Sequence, residues 1–203
     1  MTSPAPAEVA ALFGRREEPV RELAEQAGKV AAACHDMAVR FRHGGKLIAF
    51  GVGGASTDAQ HVAVEFVHPV IVGKLALPAI SLTSDAATVT GIAAREGMAG
   101  VFARQIRLLA EPGDIALGIC PGSGRAGTDG VPEALAAARE LGLLTVALAG
   151  AGGSDLAANP DIDHLLVTSS GDPRIVKEIQ VTMYHVLWEL VHVFLEQPQG
   201  VIT

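Results

Sequence analysis

A histidine and a glutamate four residues apart follow a glycine-rich turn in the first third of the chain. The apolar run 47–50 ends in the turn 51–54, and His61 and Glu65 come next. Glycine lets a backbone approach a ligand closely, and the free N–H groups at a helix start favour an anion such as phosphate. His61 and Glu65 lie about 400° apart around a helix, so they share a face and could move protons or hold a metal. An ordinary strand–turn–helix unit with a surface ion pair fits equally well, and the spacing alone leaves both interpretations open.

Three loops rich in small polar residues follow predicted strands. Ligands of an open parallel sheet bind beyond the carboxyl ends of its strands, so hydroxyls and glycine amides from these loops could bind one phosphate together. Arg125 could add a charge-assisted hydrogen bond. Alternatively, the hydroxyls cap helices and the glycines make turns. The candidate phosphate-binding residues are Gly53, Gly54 and Ser56 in the first loop, Thr83, Ser84 and Asp85 in the second, and Ser123, Gly124 and Arg125 in the third.

Short apolar runs alternate with helical patterns along most of the chain. This alternation indicates βαβ units, and therefore a parallel sheet covered by helices. We predict an α/β fold, a three-layer sandwich with a five-stranded, mainly parallel sheet and an N-terminal helical extension over about 8–43. The extension has weak points at Gly14 and near Pro19. The predicted strands are 46–50, 79–82, 114–119, 144–148 and 164–167, and the predicted helices are about 56–68, 85–94, 99–110, 130–141 and 174–196.

The composition suits a single domain. Of the 203 residues, 49% are hydrophobic but only 4% are aromatic, so aliphatic side chains and alanine must build the core. A net charge of −7 argues against a nucleic-acid partner, which needs a basic surface. Cys34 and Cys120 form no disulfide framework, and the sequence has neither a signal-peptide pattern nor an apolar run long enough for a bilayer. We expect one cytoplasmic domain over 1–203 without a membrane partner.

The last predicted helix is apolar on more than one face. Such a helix must be buried, and a small α/β domain seldom has room to bury it alone. We therefore expect subunits to associate through this helix and the N-terminal helical segment. Its apolar positions are Ile175, Ile179, Met183, Val186, Leu187, Leu190, Val193 and Phe194.

The arrangement of these motifs resembles the sugar isomerase (SIS) domain family, and most closely its bacterial phosphoheptose isomerase branch. The resemblance runs from the N-terminal helix to about Gln197, and it implies a flavodoxin- or Rossmann-like fold and a homotetramer. It also implies an aldose–ketose isomerase that converts sedoheptulose 7-phosphate to a heptose 7-phosphate through an enediol. The motifs that carry it are Gly51-x-Gly-Gly, Asp58-Ala59-x-His61-x-Ala63-x-Glu65, Leu77-Pro78-Ala79-Ile80 with Thr83-Ser84-Asp85, Pro112-Gly113-Asp114, and Arg174-Ile175 with Glu178 and His185.

The resemblance implies a catalytic pair. Glu65 and His185 stand at the positions of the family's acid/base residues. A carboxylate can take a carbon-bound proton while an imidazole moves the proton on oxygen, so the pair is chemically sensible.

The resemblance also implies a metal site in some members. These bind zinc through a histidine, the catalytic glutamate, a glutamine and the catalytic histidine, and His61, Glu65 and His185 match three of the four. The place of the glutamine is Lys177, with Gln180 nearby as the alternative register. A lysine ammonium has no lone pair for a metal. Lys177 could instead take the position of the metal's charge and pair with Glu65, so we expect either no required cofactor or a weakly bound zinc.

The sequence departs from the family pattern around the substrate. The family has Asn where Val52 stands, Ser where Ala55 stands and an Asn-Asp pair where Ala94-Arg95 stand. Its phosphate loop also differs from the segment 120–125. The basic residues that could restore phosphate binding by side-chain charge are Arg95, Arg125 and Lys177.

Two functions from different classes are therefore open. The first is the isomerase, acting on a small phosphorylated sugar. The second is a non-catalytic SIS module that binds a sugar phosphate or serves as a scaffold for protein interaction, like a replication-linked branch that lacks the catalytic glutamate. The presence of Glu65 and His185 favours the enzyme, whereas the altered phosphate loop favours the alternative. A paralogue could also complete the site.

Overall fold

Five parallel strands form a sheet in the order β2-β1-β3-β4-β5. The structure, a computed structural model, describes residues 5–120, 130–151, 156 and 159–197. Every neighbouring pair of strands is parallel, so the carboxyl ends of the strands meet at one edge of the sheet. The strands are β1 (Leu47–Gly51), β2 (Ala79–Ser81), β3 (Ile115–Cys120), β4 (Leu144–Gly150) and β5 (His164–Thr168).

Helices connect the strands and cover both faces of the sheet. Buried side chains of α3, α4 and α8 pack on one face, and those of α6 and α7 pack on the other. The predicted three-layer α/β fold with a five-stranded parallel sheet is therefore confirmed. The helices in the described residues are α1 (Pro6–Gly14), α2 (Glu17–Glu25), α3 (Ala27–Arg42), α4 (Gly54–Val67), α5 (Ala86–Glu96), α6 (Gly100–Leu109), α7 (Val131–Glu140) and α8 (Pro173–Glu196).

The central strands consist mainly of aliphatic residues, which can be buried on both faces of the sheet. Every residue of β1 and of β4 is buried. Along β1, Leu47 and Ala49 belong to the core under α3, α4 and α8, whereas Ile48 and Phe50 belong to the core under α6 and α7. This alternation follows from the two-residue repeat of a strand. Continuous apolar runs are typical of parallel sheets that are covered on both faces.

Three consecutive helices form the N-terminal segment. The chain turns at 15–16, next to the weak point at Gly14, and again at Gln26. The predicted break near Pro19 is wrong. Pro19 lies in the first turn of α2, where the backbone N–H has no partner within the helix and its loss costs little.

A side chain partly covers the edge strand β5. The amide of Gln26 donates to Val167 O at 2.7 Å and accepts from Val167 N at 3.1 Å. The side-chain amide thereby copies the hydrogen bonds of a neighbouring strand, so this part of the edge is closed to another chain. The contact also anchors the N-terminal helices to the sheet.

Helix α8 lies against α3 and α4, and most of its inner face is buried in the core between them and the sheet. The buried ring of His192 joins Trp188 O and Leu75 O, at 2.8 and 2.9 Å, and so ties the segment after α4 to the end of α8. On its outer side an apolar groove of about 270 Å³ is lined by residues of α2, α3 and α8, among them Leu23 and Leu190. Within the described ranges, no helix combines the length and apolarity needed to cross a bilayer.

A buried carboxylate joins the starts of β1 and β3. Asp114 accepts from the backbone N–H groups of Lys46 and Glu111, both at 2.9 Å, and from Lys46 Nζ at 2.5 Å. Its exposed fraction is 3%, so these donors take the place of water. The contact sets the level of β1 relative to β3 at the amino edge of the sheet.

Replacing Asp114 by alanine leaves two backbone N–H groups and an ammonium without their acceptor. Unsatisfied buried polar groups cost about 1–3 kcal/mol each, so Asp114→Ala should lower the free energy of unfolding by roughly 3 kcal/mol. Urea denaturation followed by circular dichroism measures the change. Glu140→Ala removes an exposed carboxylate 3.6 Å from Arg107 and should cost less than about 0.5 kcal/mol. Equal losses in the two variants would contradict this role of Asp114.

Candidate active site

Helices α4 and α8 run side by side in the same direction. Three polar contacts join them, and successive contacts involve later residues in both helices. The two helices come from distant parts of the chain, so only tertiary packing brings their side chains together. The three contacts are Lys177 Nζ to Asp58 Oδ1 and Oδ2 at 2.7 Å each, Tyr184 Oη to His61 Nδ1 at 2.7 Å, and Trp188 Nε1 to Glu65 O at 2.9 Å.

Three of the predicted residues lie together between these helices. His61 Nε2 is 3.1 Å from Glu65 Oε1, and the ring centres of His61 and His185 are 5.2 Å apart. One potential ligand atom from each of His61, Glu65 and His185 lies within 4.8 Å of the other two. Glu65 is buried, whereas His61 is exposed and His185 is half-buried. The cluster therefore offers a shielded carboxylate and two accessible imidazoles, which could transfer protons at neighbouring atoms of one substrate.

Lys177 pairs with a carboxylate on α4, but the suggested pairing with Glu65 is wrong. Its ammonium contacts both carboxylate oxygens of Asp58 and also donates to Gly54 O at 2.9 Å. Asp58 precedes Glu65 by two helical turns, which puts it near the level of Lys177 on α8. The exposed fraction of Asp58 is 5%, so the ammonium neutralises a buried charge at the start of α4.

The cluster of His61, Glu65 and His185 has the composition of a metal site. Two imidazoles and a carboxylate are common zinc ligands. Gln180, the alternative fourth ligand, is buried, and its amide nitrogen donates to carbonyl oxygens of β3 and β4 at 2.9 and 3.2 Å. The three residues thus fit a metal ion, while Lys177 adds no lone pair to the set.

The first two predicted phosphate loops meet at the start of α4. Thr83 Oγ1 donates to Ser56 O at 3.1 Å, and both residues line a cavity of about 250 Å³ together with Gly53. Gly53 has a φ of 61°, which favours glycine, and no side chain caps the helix that follows. A Cβ on Gly51 would lie 2.7 Å from Ile119 O, so the close approach of β1 and β3 also requires glycine. A helix start of this kind is a candidate position for a small anion.

The rest of the cavity wall is mainly apolar, with Thr90 of α5 as one further hydroxyl. Val52 comes from the first loop, Val89 from α5, Met98 from the turn before α6, and Phe102 from α6 itself. A ligand in the cavity would therefore meet hydroxyls and backbone groups on one side and hydrocarbon on the other.

The other predicted binding residues lie in different positions. Asp85 accepts from two backbone N–H groups of the first turn of α5, at 2.9 and 3.1 Å, and so caps that helix. Ser84 is exposed just before α5, and Arg95 is exposed in its last turn. The residues of the third loop, Ser123, Gly124 and Arg125, lie outside the described residues.

Asp58 and Tyr184 belong to the site but were not predicted as site residues. Burial, reinforced by the negative charges of Asp58 and Glu65, raises the pKa of the Tyr184 hydroxyl. The sequence does carry a signal for this residue. The chain has one tyrosine and one tryptophan, Tyr184 and Trp188, and both share a helical face with Lys177 in a mainly apolar helix. Such side chains usually need a partner for their polar tip when buried.

Comparison with known proteins identifies relatives over most of the chain. The family model of the SIS domain matches residues 16–150. The phosphoheptose isomerase of Nitratidesulfovibrio vulgaris (strain Miyazaki F) is 37% identical over 175 residues, covering 86% of this chain and 82% of that protein. That of Roseiflexus sp. (strain RS-1) is 40% identical over 171 residues, covering 84% of each. The structure of phosphoheptose isomerase from Neisseria gonorrhoeae matches with a TM-score of 0.80 at 29% identity, covering 91% of this chain and 97% of that one. The resemblance drawn from the motifs is confirmed.

The ion pair between Asp58 and Lys177 should appear as a coupling energy. Lys177→Met leaves a buried carboxylate without compensation, whereas adding Asp58→Asn removes that charge and should restore part of the stability. The side chain of Lys177 is 43% exposed, so solvent screens the pair, and we expect a coupling of about 1–2 kcal/mol. Urea unfolding of the wild type, both single variants and the double variant measures it. Strictly additive losses would show that the pair contributes nothing.

Proposed function

Since the chain belongs to the SIS domain family, we propose that it is an aldose–ketose isomerase that interconverts sedoheptulose 7-phosphate and a heptose 7-phosphate. The observation that carries this proposal is the cluster of Glu65, His61 and His185 between α4 and α8, because α4 begins at the loop that lines the cavity with Gly53. The names of the relatives support the choice of substrate. The non-catalytic alternative is not favoured, because both members of the acid/base pair are present.

The proposed reaction needs two proton transfers at adjacent carbons. The Glu65 carboxylate removes a proton from C1 of the open-chain ketose, while the oxygen on C2 takes up a proton from His185, which gives an enediol. Glu65 then delivers its proton to C2, and the hydroxyl on C1 returns a proton to His185, which leaves the aldehyde.

The start of α4 is the proposed phosphate site. Gly53, Ser56 and Thr83 line the cavity, Gly54 follows Gly53 as the first residue of α4, and the ammonium of Lys177 donates to Gly54 O. Asp85 contributes by fixing the start of α5 next to Thr83 rather than by contact with an anion. We further propose that Ser84 contributes to phosphate binding and, from the sequence alone, that Ser123, Gly124 and Arg125 do so as well.

The same cluster is also the proposed site of a weakly bound metal ion. His61, Glu65 and His185 are the residues that would hold zinc, and zinc when bound would polarise the substrate oxygens. We propose that zinc binds weakly, because Lys177 occupies the sequence position at which some family members supply the glutamine ligand, and its ammonium pairs with Asp58 instead of offering a lone pair.

We also propose a homotetramer in the cytoplasm. The apolar groove beside α8 and the exposed side chains of Val70, Ile71 and Val72 leave hydrocarbon surface for subunit contacts. The small number of cysteines suits a reducing compartment.

Removing the proposed base should abolish most of the activity. Glu65→Gln keeps the size of the side chain but not its basicity, so isomerisation should fall by on the order of 100-fold or more. Proton exchange at C1 and C2 of sedoheptulose 7-phosphate, followed by NMR, measures the rate. The control is Glu189→Gln, an exposed glutamate on α8, which should keep the wild-type rate. Wild-type turnover in Glu65→Gln would defeat the catalytic role of Glu65, and a wild type that binds the sugar without exchanging protons would favour the sensor.

The weak zinc affinity should depend on Lys177. Lys177→Gln restores the glutamine of the family pattern at this sequence position and removes the ammonium, and it should tighten zinc binding roughly tenfold, the scale on which neighbouring residues tune metal sites. Lys177→Met removes the same charge without adding an oxygen, so it separates ligation from electrostatics. Competition with a chromophoric chelator gives both affinities. Stoichiometric zinc in the purified wild-type protein would show that the lysine does not weaken the site.

A further inference from the structure

Tyr184 places a buried hydroxyl behind the histidine of the cluster. Its ring is fully buried in the core shared by α3, α4 and α8, and only its oxygen reaches the site. That oxygen is 2.7 Å from His61 Nδ1, while the other ring nitrogen, Nε2, is 3.1 Å from Glu65 Oε1. The imidazole of His61 therefore bridges a phenol on α8 and a carboxylate on α4.

The chemistry of the three groups gives the hydrogen bonds a direction. An ionised carboxylate only accepts hydrogen bonds, so the contact with Glu65 needs a proton on His61 Nε2. A neutral imidazole that is protonated at Nε2 has its lone pair at Nδ1. The hydroxyl of Tyr184 is then the donor, and the three groups form a chain that runs from Tyr184 through His61 to Glu65.

We infer that Tyr184 is a positioning residue of the isomerase, which holds His61 in the Nε2–H tautomer and thereby keeps a hydrogen-bond donor on Glu65. The inference rests on the proposed function. Its effect is on orientation, because Tyr184 does not carry a proton to or from the sugar. The His61 N–H directs one lone pair of the carboxylate toward the imidazole and leaves Oε2 of Glu65 to face the substrate carbon.

The location of Tyr184 explains why this residue can perform the task. It directly precedes His185, and the two rings are 4.8 Å apart. Helix α8 thus carries the proposed acid/base imidazole and the group that orients His61, while α4 carries His61 and Glu65. The rotation of α8 about its axis relative to α4 therefore determines the positions of Tyr184 and His185 at the same time. Trp188, one turn further on, holds that rotation through its hydrogen bond to Glu65 O.

The variant Tyr184→Phe removes the hydroxyl and keeps the ring that fills the core. Without the donor at Nδ1, His61 should populate both neutral tautomers. Long-range ¹H–¹⁵N spectra of the histidine side chains distinguish these tautomers, and His61→Gln assigns the signal. We expect a single Nε2–H pattern in the zinc-free wild type, since zinc would need the ring lone pair that accepts from Tyr184, and a mixture in zinc-free Tyr184→Phe. The loss of one buried hydrogen bond should lower kcat about tenfold, with KM unchanged because sugar binding does not use this contact.

The matched control removes another hydroxyl from the same helix. Thr182 Oγ1 donates to Glu178 O on the exposed side of α8, away from the cluster, so Thr182→Val should change neither the His61 spectrum nor kcat. An Nδ1–H tautomer in the wild type, or an unchanged spectrum and kcat in Tyr184→Phe, would overturn the inference. A wild type without isomerase activity would overturn the proposed function and with it the catalytic importance of Tyr184, whereas the spectra would still decide the tautomer.

Discussion

The packing of α8 along α4 is the constraint on which the candidate site depends. Apolar side chains of both helices, such as Phe66, Met183 and Leu187, share one core cluster and hold the helices together. Hydrophobic contact is non-directional, however, and would tolerate a slide or a rotation. The polar contacts at three levels remove that freedom, because each needs a particular pair of atoms at hydrogen-bond distance. The same interface therefore supplies the stability of this part of the molecule and the geometry of its proposed chemistry.

The sheet separates the polar groups that hold the structure from those that could act on a ligand. At the amino edge, Asp114 joins β1 to β3, and Asp163 accepts from Thr145 N at 3.0 Å to join β5 to β4. These carboxylates are fully engaged within the protein. At the carboxyl edge the backbone opens into the loops around Gly53 and Thr83, whose groups line a cavity instead. Because all strands are parallel, every loop at that edge can contribute to one ligand, as open α/β sheets generally allow.

The fold could be predicted from the sequence because its signals are local and repeated. Apolar runs and helical patterns placed all five strands within two residues of their observed ends. The position of Pro19 misled because proline breaks a helix in its interior but suits its first turn. The partner of Lys177 could not be predicted, since residues 58 and 65 lie on one face of α4 and only the level of α8 decides between them. Tyr184 was missed for the same reason. Its hydrogen bond joins residues that are 123 positions apart.

The departures from the family pattern affect the two parts of the site unequally. The residues of the proposed proton-transfer cluster, Glu65, His61 and His185, are all present and lie together between two packed helices. The cavity wall, in contrast, departs from the family pattern. Val52 stands where the family has an amide, and it lines the cavity together with Val89 and Phe102. An enediol reaction needs only the carbons and oxygens next to the base, so it tolerates change elsewhere along the sugar. A mainly apolar wall, in contrast, leaves few hydrogen-bond partners for sugar hydroxyls placed against it, so we expect the hydroxylated part of the sugar to lie toward Ser56, Thr83 and Thr90. We therefore expect this wall to discriminate between sugars, and the helix pair to determine the type of reaction.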